Sequence, residues 1–193
     1  DTPIKVAIQK TPKAGYDVLG ANRELSGAEI SLFDLERREL RLKEAIEEIR
    51  KSYDFILIDC APSLSMLTLN ALVAADGVII PMQCEYYALE GLADLTNTIE
   101  RMTAKLNPQL QIRGILRTMY DPRITLASDV SNELTRHFGD KVFTTVIPRN
   151  IRLAEAPAHG VPVMYYDKGS RGAFAYLSLA AELIKKDKKR KSV

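Results

Sequence analysis

The sequence predicts an α/β fold, a doubly wound and mostly parallel sheet with helices on both faces, and three observations carry that expectation. Four short apolar runs, FILI at 55–58, GVII at 77–80, IRGIL at 112–116 and VFTTVI at 142–147, recur with helical segments between them, the order of a βαβ series. Each run is apolar at odd and even positions alike, as strands covered on both faces require. With 193 residues and 46% hydrophobic content, the chain can fill one sizeable core, so a single domain over residues 1–193 is expected.

Taken in order, the chain opens on a short apolar piece, Val6 to Ile8, followed by KTPKAG as a turn and Tyr16 to Leu19 as an edge strand. Residues 34–51 are charged and periodic, with Leu35, Leu42, Ile46 and Ile49 near helical spacing, and read as an amphipathic helix. Pro62 to Ala75 reads as a second helix, opened by Pro62 and capped by Ser63. Residues 88–106 form a third, carrying Leu89, Leu92, Leu95, Ile99 and Met102. In 127–138, Val130, Leu134 and Phe138 repeat at i, i+4, i+8, and Gly139 supplies the stop. A last helix over about 171–186 presents Phe174, Leu177, Ala181 and Ile184 as its core face, with Tyr176, Leu179 and Leu183 widening the stripe.

Composition excludes several function classes. Cys60 and Cys84 form neither a disulfide framework nor a zinc-ligand cluster, which fits a reducing cytoplasm. No apolar stretch reaches the roughly 18 residues of a membrane span. A net charge of +2 is too small to diagnose nucleic-acid binding, which needs local cationic clusters. The basic tail at 185–193, KKDKKRKSV, reads as a solvated helix end that complements the helix dipole. It has no apolar face for a membrane. His137 and His159 lack metal-ligand partners at suitable spacing, and no Ser/His/Asp constellation stands out.

Ligands of open α/β sheets bind beyond the carboxyl ends of the strands. Asp59 follows FILI, Arg117 and Thr118 follow IRGIL, and Pro148, Arg149 and Asn150 follow TTVI. A carboxylate delivered to the sheet edge by four apolar residues suits Mg²⁺ beside a nucleotide phosphate, usually through water. An aspartate after a strand also serves as a helix N-cap, but Ser63 offers that cap here. Arg149 and Asn150 could pair with anions or hydrogen-bond a base, but the residues alone favour a surface ion pair.

The segments YDFILIDCAPSLSMLTLNAL, IIPMQCEYYALEGL, TMYDPRITLASDV and VIPRNIRLAEAPAHGVPVMYYDKGSRGAFAYL, with ANRELSGAE at 21–29, together resemble ParA-type (Soj-like) chromosome and plasmid partition ATPases from about Tyr16 to Ile184. The resemblance implies a P-loop NTPase sheet that dimerises around two ATP molecules with Mg²⁺. It also implies nonspecific DNA binding as the homodimer, stimulation by a ParB-like partner, and a cytoplasmic, nucleoid-associated location away from the membrane. Asp59 matches the family's Walker B aspartate, with a catalytic and metal-side role. Thr118, Pro148 and Arg149 match positions near the adenine and its pocket. Arg123 and Arg152 fall where Soj-like members carry DNA-contacting arginines, whose fork reaches phosphate oxygens without reading base identity.

Departures from the family pattern set further expectations. The KGGxGKT phosphate loop does not occur in the sequence, nor does the second acidic motif, so the chain is expected to lack the first βα unit and to bind ATP weakly by itself. Ala61 stands where a second proline is usual. A sheet flank without its covering unit is expected to expose apolar surface and to favour self-association. A nucleotide-free remnant that binds DNA or a partner is the alternative; a MinD-type division protein is disfavoured by the tail and by NIRLAEAP.

Overall fold

The computed structural model describes residues 2–11 and 14–191. The chain forms two compact units, residues 1–78 with 97–111, and residues 79–96 with 112–193.

In the first unit, a one-turn helix α1 (Ile4–Ala7) leads into a hairpin of β1 (Gln9–Lys10) and β2 (Asp17–Val18), paired antiparallel with Gln9 opposite Val18. The edge-strand expectation at Tyr16–Leu19 holds for its two central residues. Helix α2 (Glu24–Phe33) follows, with Leu25, Ile30 and Phe33 exposed. The single helix expected over 34–51 is broken: Arg37 takes a left-handed φ of 54°, and α3 (Arg41–Glu47) stands between short 3-10 turns at Arg38–Leu40 and Arg50–Ser52. The cause is Asn70. Its Nδ2 donates to the Arg38 carbonyl at 2.9 Å while its Oδ1 accepts from the Leu42 amide at 3.1 Å. Those two groups would be i, i+4 partners in a continuous helix, so one buried side chain replaces a rung of the ladder and satisfies both ends. Ile46 and Ile49 still face the core.

Helix α4 (Met66–Ala74) is buried on every side from Asn70 to Ala74. Its cap is Ser65 rather than Ser63: Ser65 Oγ accepts from the Leu67 and Thr68 amides at 3.2 and 3.5 Å. Asn107 fastens the other end of α4, donating to the Leu72 and Ala75 carbonyls at 2.9 and 2.8 Å.

The run at 55–58 departs furthest from expectation. It makes no sheet pairing, and Phe55, Ile56 and Leu57 are exposed, Leu57 by 82%. A strand exists only through its neighbours' hydrogen bonds, and among the described residues nothing pairs with this segment. The buried strand expected here is instead an unpaired, exposed segment, and it carries part of the exposed apolar surface.

The sheet of β3 (Gly77–Gln83) beside β4 (Gln111–Thr118) falls mostly in the second unit, within an α/β fold of parallel strands and helices. Residues 142–148 continue it as two parallel bridges, Ile115 to Val142 and Tyr120 to Pro148, instead of a regular fourth strand. Gly114, Ile115 and Leu116 are consecutive and all buried, so β4 is covered on both faces. Helices α5 (Ala88–Thr103) and α6 (Thr125–Phe138) have bounds close to those expected. Gly139 ends α6 with φ 48°, its amide bonding back to the Thr135 carbonyl. Short α7 (Ile151–Glu155) and α8 (Val163–Tyr166) precede α9 (Arg171–Lys191).

The core of this unit is Leu116, Phe143 and Ile147, onto which α9 packs Ala175, Leu179 and Leu183. The face expected to be inside is outside: Phe174, Leu177 and Ile184 are 60%, 42% and 42% exposed. Both stripes are apolar, and helical periodicity alone does not choose between them. Of the basic tail, the side chains from Lys189 onward lie outside the described residues. Lys186 is engaged, its Nζ donating to the Asp140 carbonyl at 3.0 Å and standing 4.5 Å from the Phe143 ring centroid. Among the described residues no helix is long and apolar enough to cross a membrane.

Candidate functional site

Five of the six residues singled out from the sequence lie in the second unit, around the carboxyl end of β4. Thr118 closes that strand, and its Oγ1 donates to the Met82 carbonyl at 3.2 Å, tying the end of β4 to the end of β3. The chain then turns through Met119, a non-glycine residue at φ 52°, a conformation that persists only where its surroundings enforce it. Here they do. The Tyr120 amide donates to the Ile147 carbonyl and its own carbonyl accepts from the Arg149 amide, both at 3.1 Å. Thr118 to Tyr120 is thereby clamped against Pro148 and Arg149, and Tyr120 packs on the Cys84, Ala127 and Val130 cluster.

The next turn sets Arg123. Asp121 Oδ1 accepts from the Arg123 amide at 3.0 Å and from Nε at 2.9 Å, while Oδ2 accepts from Nη2 at 2.6 Å. The guanidinium side chain is 87% exposed. Its hydrogen bonds, with help from the Arg149 charge, hold the Asp121 carboxyl down at about 2. Arg123 is thus fixed on one edge and open on the other.

Arg152 is more heavily compensated. Asn150 caps α7 by accepting the Arg152 amide at 2.9 Å, and the Arg152 guanidinium pairs with Glu155 at 2.9 Å and Asp167 at 3.2 Å. Glu155 also accepts from Tyr166 Oη at 3.1 Å, and these contacts, Arg152 first, lower its pKa. A phosphate reaching Arg152 competes with two carboxylates.

Asp59 belongs to the first unit and follows the unpaired 55–58 segment. It is exposed, and no hydrogen bond or ion pair engages it among the described residues. Among those residues no cluster of three or more His, Cys, Asp or Glu side chains forms a metal cage. A lone, uncommitted hard-oxygen carboxylate fits Mg²⁺, which keeps most of its waters and completes its shell from phosphate oxygens.

Met119, Tyr120 and Asp121 were missed from the sequence. The only signal available was the Asp-Pro-Arg turn, and a left-handed methionine leaves none.

The family described as "AAA domain" matches residues 1–112. The chain is 48% identical to the chromosome partitioning protein ParA of Caulobacter vibrioides over 100% of its own length and 73% of that protein's. It is 51% identical to the sporulation initiation inhibitor protein Soj of Bacillus subtilis over 95% and 72%. The chain belongs to the ParA/Soj family. Among solved structures it is similar to cobyrinic acid a,c-diamide synthase from Mycobacterium smegmatis with bound ADP and magnesium, with a TM-score of 0.80 and 34% identity, covering 97% of this chain and 69% of that one. ParA/Soj proteins are chromosome-partitioning ATPases, and the solved neighbour holds a nucleotide and magnesium on the same P-loop NTPase fold.

Proposed function

We propose that this chain supplies the magnesium-side carboxylate and the adenine-side residues of a DNA-partition ATPase. The observation that carries the reading is the clamp of Thr118–Tyr120 on Pro148–Arg149, which gathers strand-end backbone groups and one cation where α/β sheets bind nucleotides. Asp59 would hold Mg²⁺ through water, and Thr118, Pro148 and Arg149 would border the base. The bound metal would offset charge developing on the transferred phosphoryl group. Arg123 and Arg152 are the DNA-contacting arginines of this reading. A homodimer doubles them, on nonspecific DNA in the nucleoid, and a ParB-like protein stimulates hydrolysis. The two compact units are parts of one nucleotide-hydrolase domain.

The 193 residues contain no KGGxGKT sequence, so the backbone amides and lysines that cradle phosphates are not among them. On that ground this chain binds ATP weakly by itself. A second reading is a non-enzymatic ParA-like protein that binds DNA or a partner without nucleotide. Titration with a fluorescent ATP analogue and Mg²⁺ separates the two. Weak binding that Asp59→Ala abolishes supports the ATPase reading; no nucleotide binding at all supports the second; submicromolar binding contradicts the expected weakness.

A further inference from the structure

Arg152 is held from two sides, and the grip is built between α7 and α8. Its Nη1 donates to Glu155 Oε2 at 2.9 Å from the next turn of α7, and its Nε pairs with Asp167 Oδ2 at 3.2 Å from the end of α8. Each carboxylate is anchored a second time. Glu155 Oε2 also accepts from Tyr166 Oη at 3.1 Å, and the Tyr166 ring is stacked on His159 with centroids 4.7 Å apart. Asp167 Oδ1 accepts from the Gly169 amide at 3.1 Å, while the Asp167 amide donates to the Val163 carbonyl at 2.8 Å.

One cation thus faces two anions, and the cluster of three is net negative. Glu155 is ionised at neutral pH, its pKa lowered first by the Arg152 hydrogen bond and then by that of Tyr166. The carboxylates take different nitrogens, so either two-nitrogen side of the guanidinium, Nε with Nη2 or Nη1 with Nη2, includes one that is already paired. A phosphate that forks onto Arg152 meets a carboxylate on both sides. Arg123 differs: a single carboxylate grips one side of it, and its side chain is 87% exposed against 47% for Arg152. Exposed ion pairs add little to stability, so holding the fold does not account for two anchored carboxylates on one arginine.

We propose that Glu155 and Asp167 form a counter-charge latch that withholds Arg152 from nucleic-acid phosphates until one carboxylate swings away, with Tyr166 and His159 as the mount of the latch. The inference deepens the reading of Arg152 as a DNA-contacting arginine and rests on it. A phosphate reaches this arginine only by displacing a carboxylate, so the contact is made at the expense of an ion pair, and the latch sets how weakly this part of the surface holds DNA. Neutralising either carboxylate frees the arginine.

The test is fluorescence anisotropy of a fluorescein-labelled duplex of arbitrary sequence, with the full chain, ATP and Mg²⁺ in large excess, across salt concentrations. Glu155→Gln and Asp167→Asn are each expected to bind about threefold more tightly than wild type, with a salt slope steeper by up to about 0.9, one added phosphate contact. Both replacements keep the shape of the side chain, and Asp167→Asn keeps an oxygen for the Gly169 amide, so circular dichroism is expected to be unchanged. Adding Arg152→Ala to Glu155→Gln is expected to remove most of the gain, which a mere change in net charge would leave in place. Tighter binding in neither carboxylate variant, or a gain that survives Arg152→Ala, would overturn the latch and leave the DNA reading standing. Arg152→Ala without effect in every background, or no binding by any of these chains, would overturn the DNA reading of Arg152 and the latch with it.

Discussion

Asp121 grips Arg123 along one edge of its guanidinium, with Nη2 to Oδ2 at 2.6 Å and Nε to Oδ1 at 2.9 Å, and leaves Nη1 without an acceptor among the described residues. The pair determines how the exposed arginine is presented, because the Asp121 side chain is only 15% exposed while that of Arg123 is 87% exposed.

The first prediction concerns acid. The Asp121 carboxyl is held at about 2, below the ordinary aspartate value of about 3.9. A depressed carboxyl contributes stability that is fully present above the unfolded value and is lost as pH falls toward the folded one. Asp121 should therefore lose its contribution between about pH 4 and pH 2. Carboxyl carbon shifts followed by NMR should show its midpoint near 2, and a midpoint near 4 would mean that the pair does not hold in solution.

Gly114 cannot be enlarged. A Cβ there would lie 2.7 Å from Cδ2 and 2.9 Å from Cζ of Phe143, and both residues are buried. Gly114→Ala should cost about 1–3 kcal/mol, the usual range for overpacking a tight core, read as a lower urea midpoint. An unchanged midpoint would mean that the β4 and 142–147 backbones move apart freely.

Helix α4 distinguishes two serines. Ser65→Ala removes the acceptor of the Leu67 and Thr68 amides and should cost about 1 kcal/mol. Ser63→Ala leaves that cap intact and should cost less. Equal effects in denaturant titrations would return the cap to the position expected from the sequence.

Glu182 pins the segment leading to Pro148, accepting the Thr144 and Thr145 amides at 2.8 Å each. Burial raises its pKa, but hydrogen bonds from Thr145 and Thr144 and the nearby Lys186 outweigh that, and the net shift is downward. Its contribution is accordingly present above about pH 4.3 and lost below it. Glu182→Ala should destabilise by about 1–3 kcal/mol. Amide exchange at Thr144 and Thr145 should accelerate in that variant, and unchanged exchange would show that the clamp is not made.

How far the sequence reveals this molecule depends on what each element leans on. Helices α5 and α6 were legible because their apolar spacing and the Gly139 stop are local signals. The broken 34–51 helix was not, because the cause is Asn70, some thirty residues away, whose side chain replaces a helical hydrogen bond. The run at 55–58 has the composition of a buried strand and stays unpaired, since pairing belongs to the neighbour as much as to the segment. The α9 face was inverted because two apolar stripes compete on one helix. At the candidate site, strand-end positions pointed to Thr118, Pro148 and Arg149, which the structure brings together. The turn through Met119 that joins them has no signature in residue type.

DNA binding measured against salt tests the central reading most directly. For the full chain with ATP and Mg²⁺ in large excess, as the proposed homodimer requires, the logarithm of the association constant for duplex DNA of arbitrary sequence should fall linearly with the logarithm of salt concentration. Arg123→Ala should reduce the magnitude of that slope by about 0.9, one phosphate contact. Arg152→Ala should do the same or less, because Glu155 and Asp167 already compensate that charge. Slopes reduced in this order, with affinity indifferent to DNA sequence, are the result expected of a partition ATPase surface. No binding at low salt, or a slope unchanged when both arginines are replaced, would contradict it.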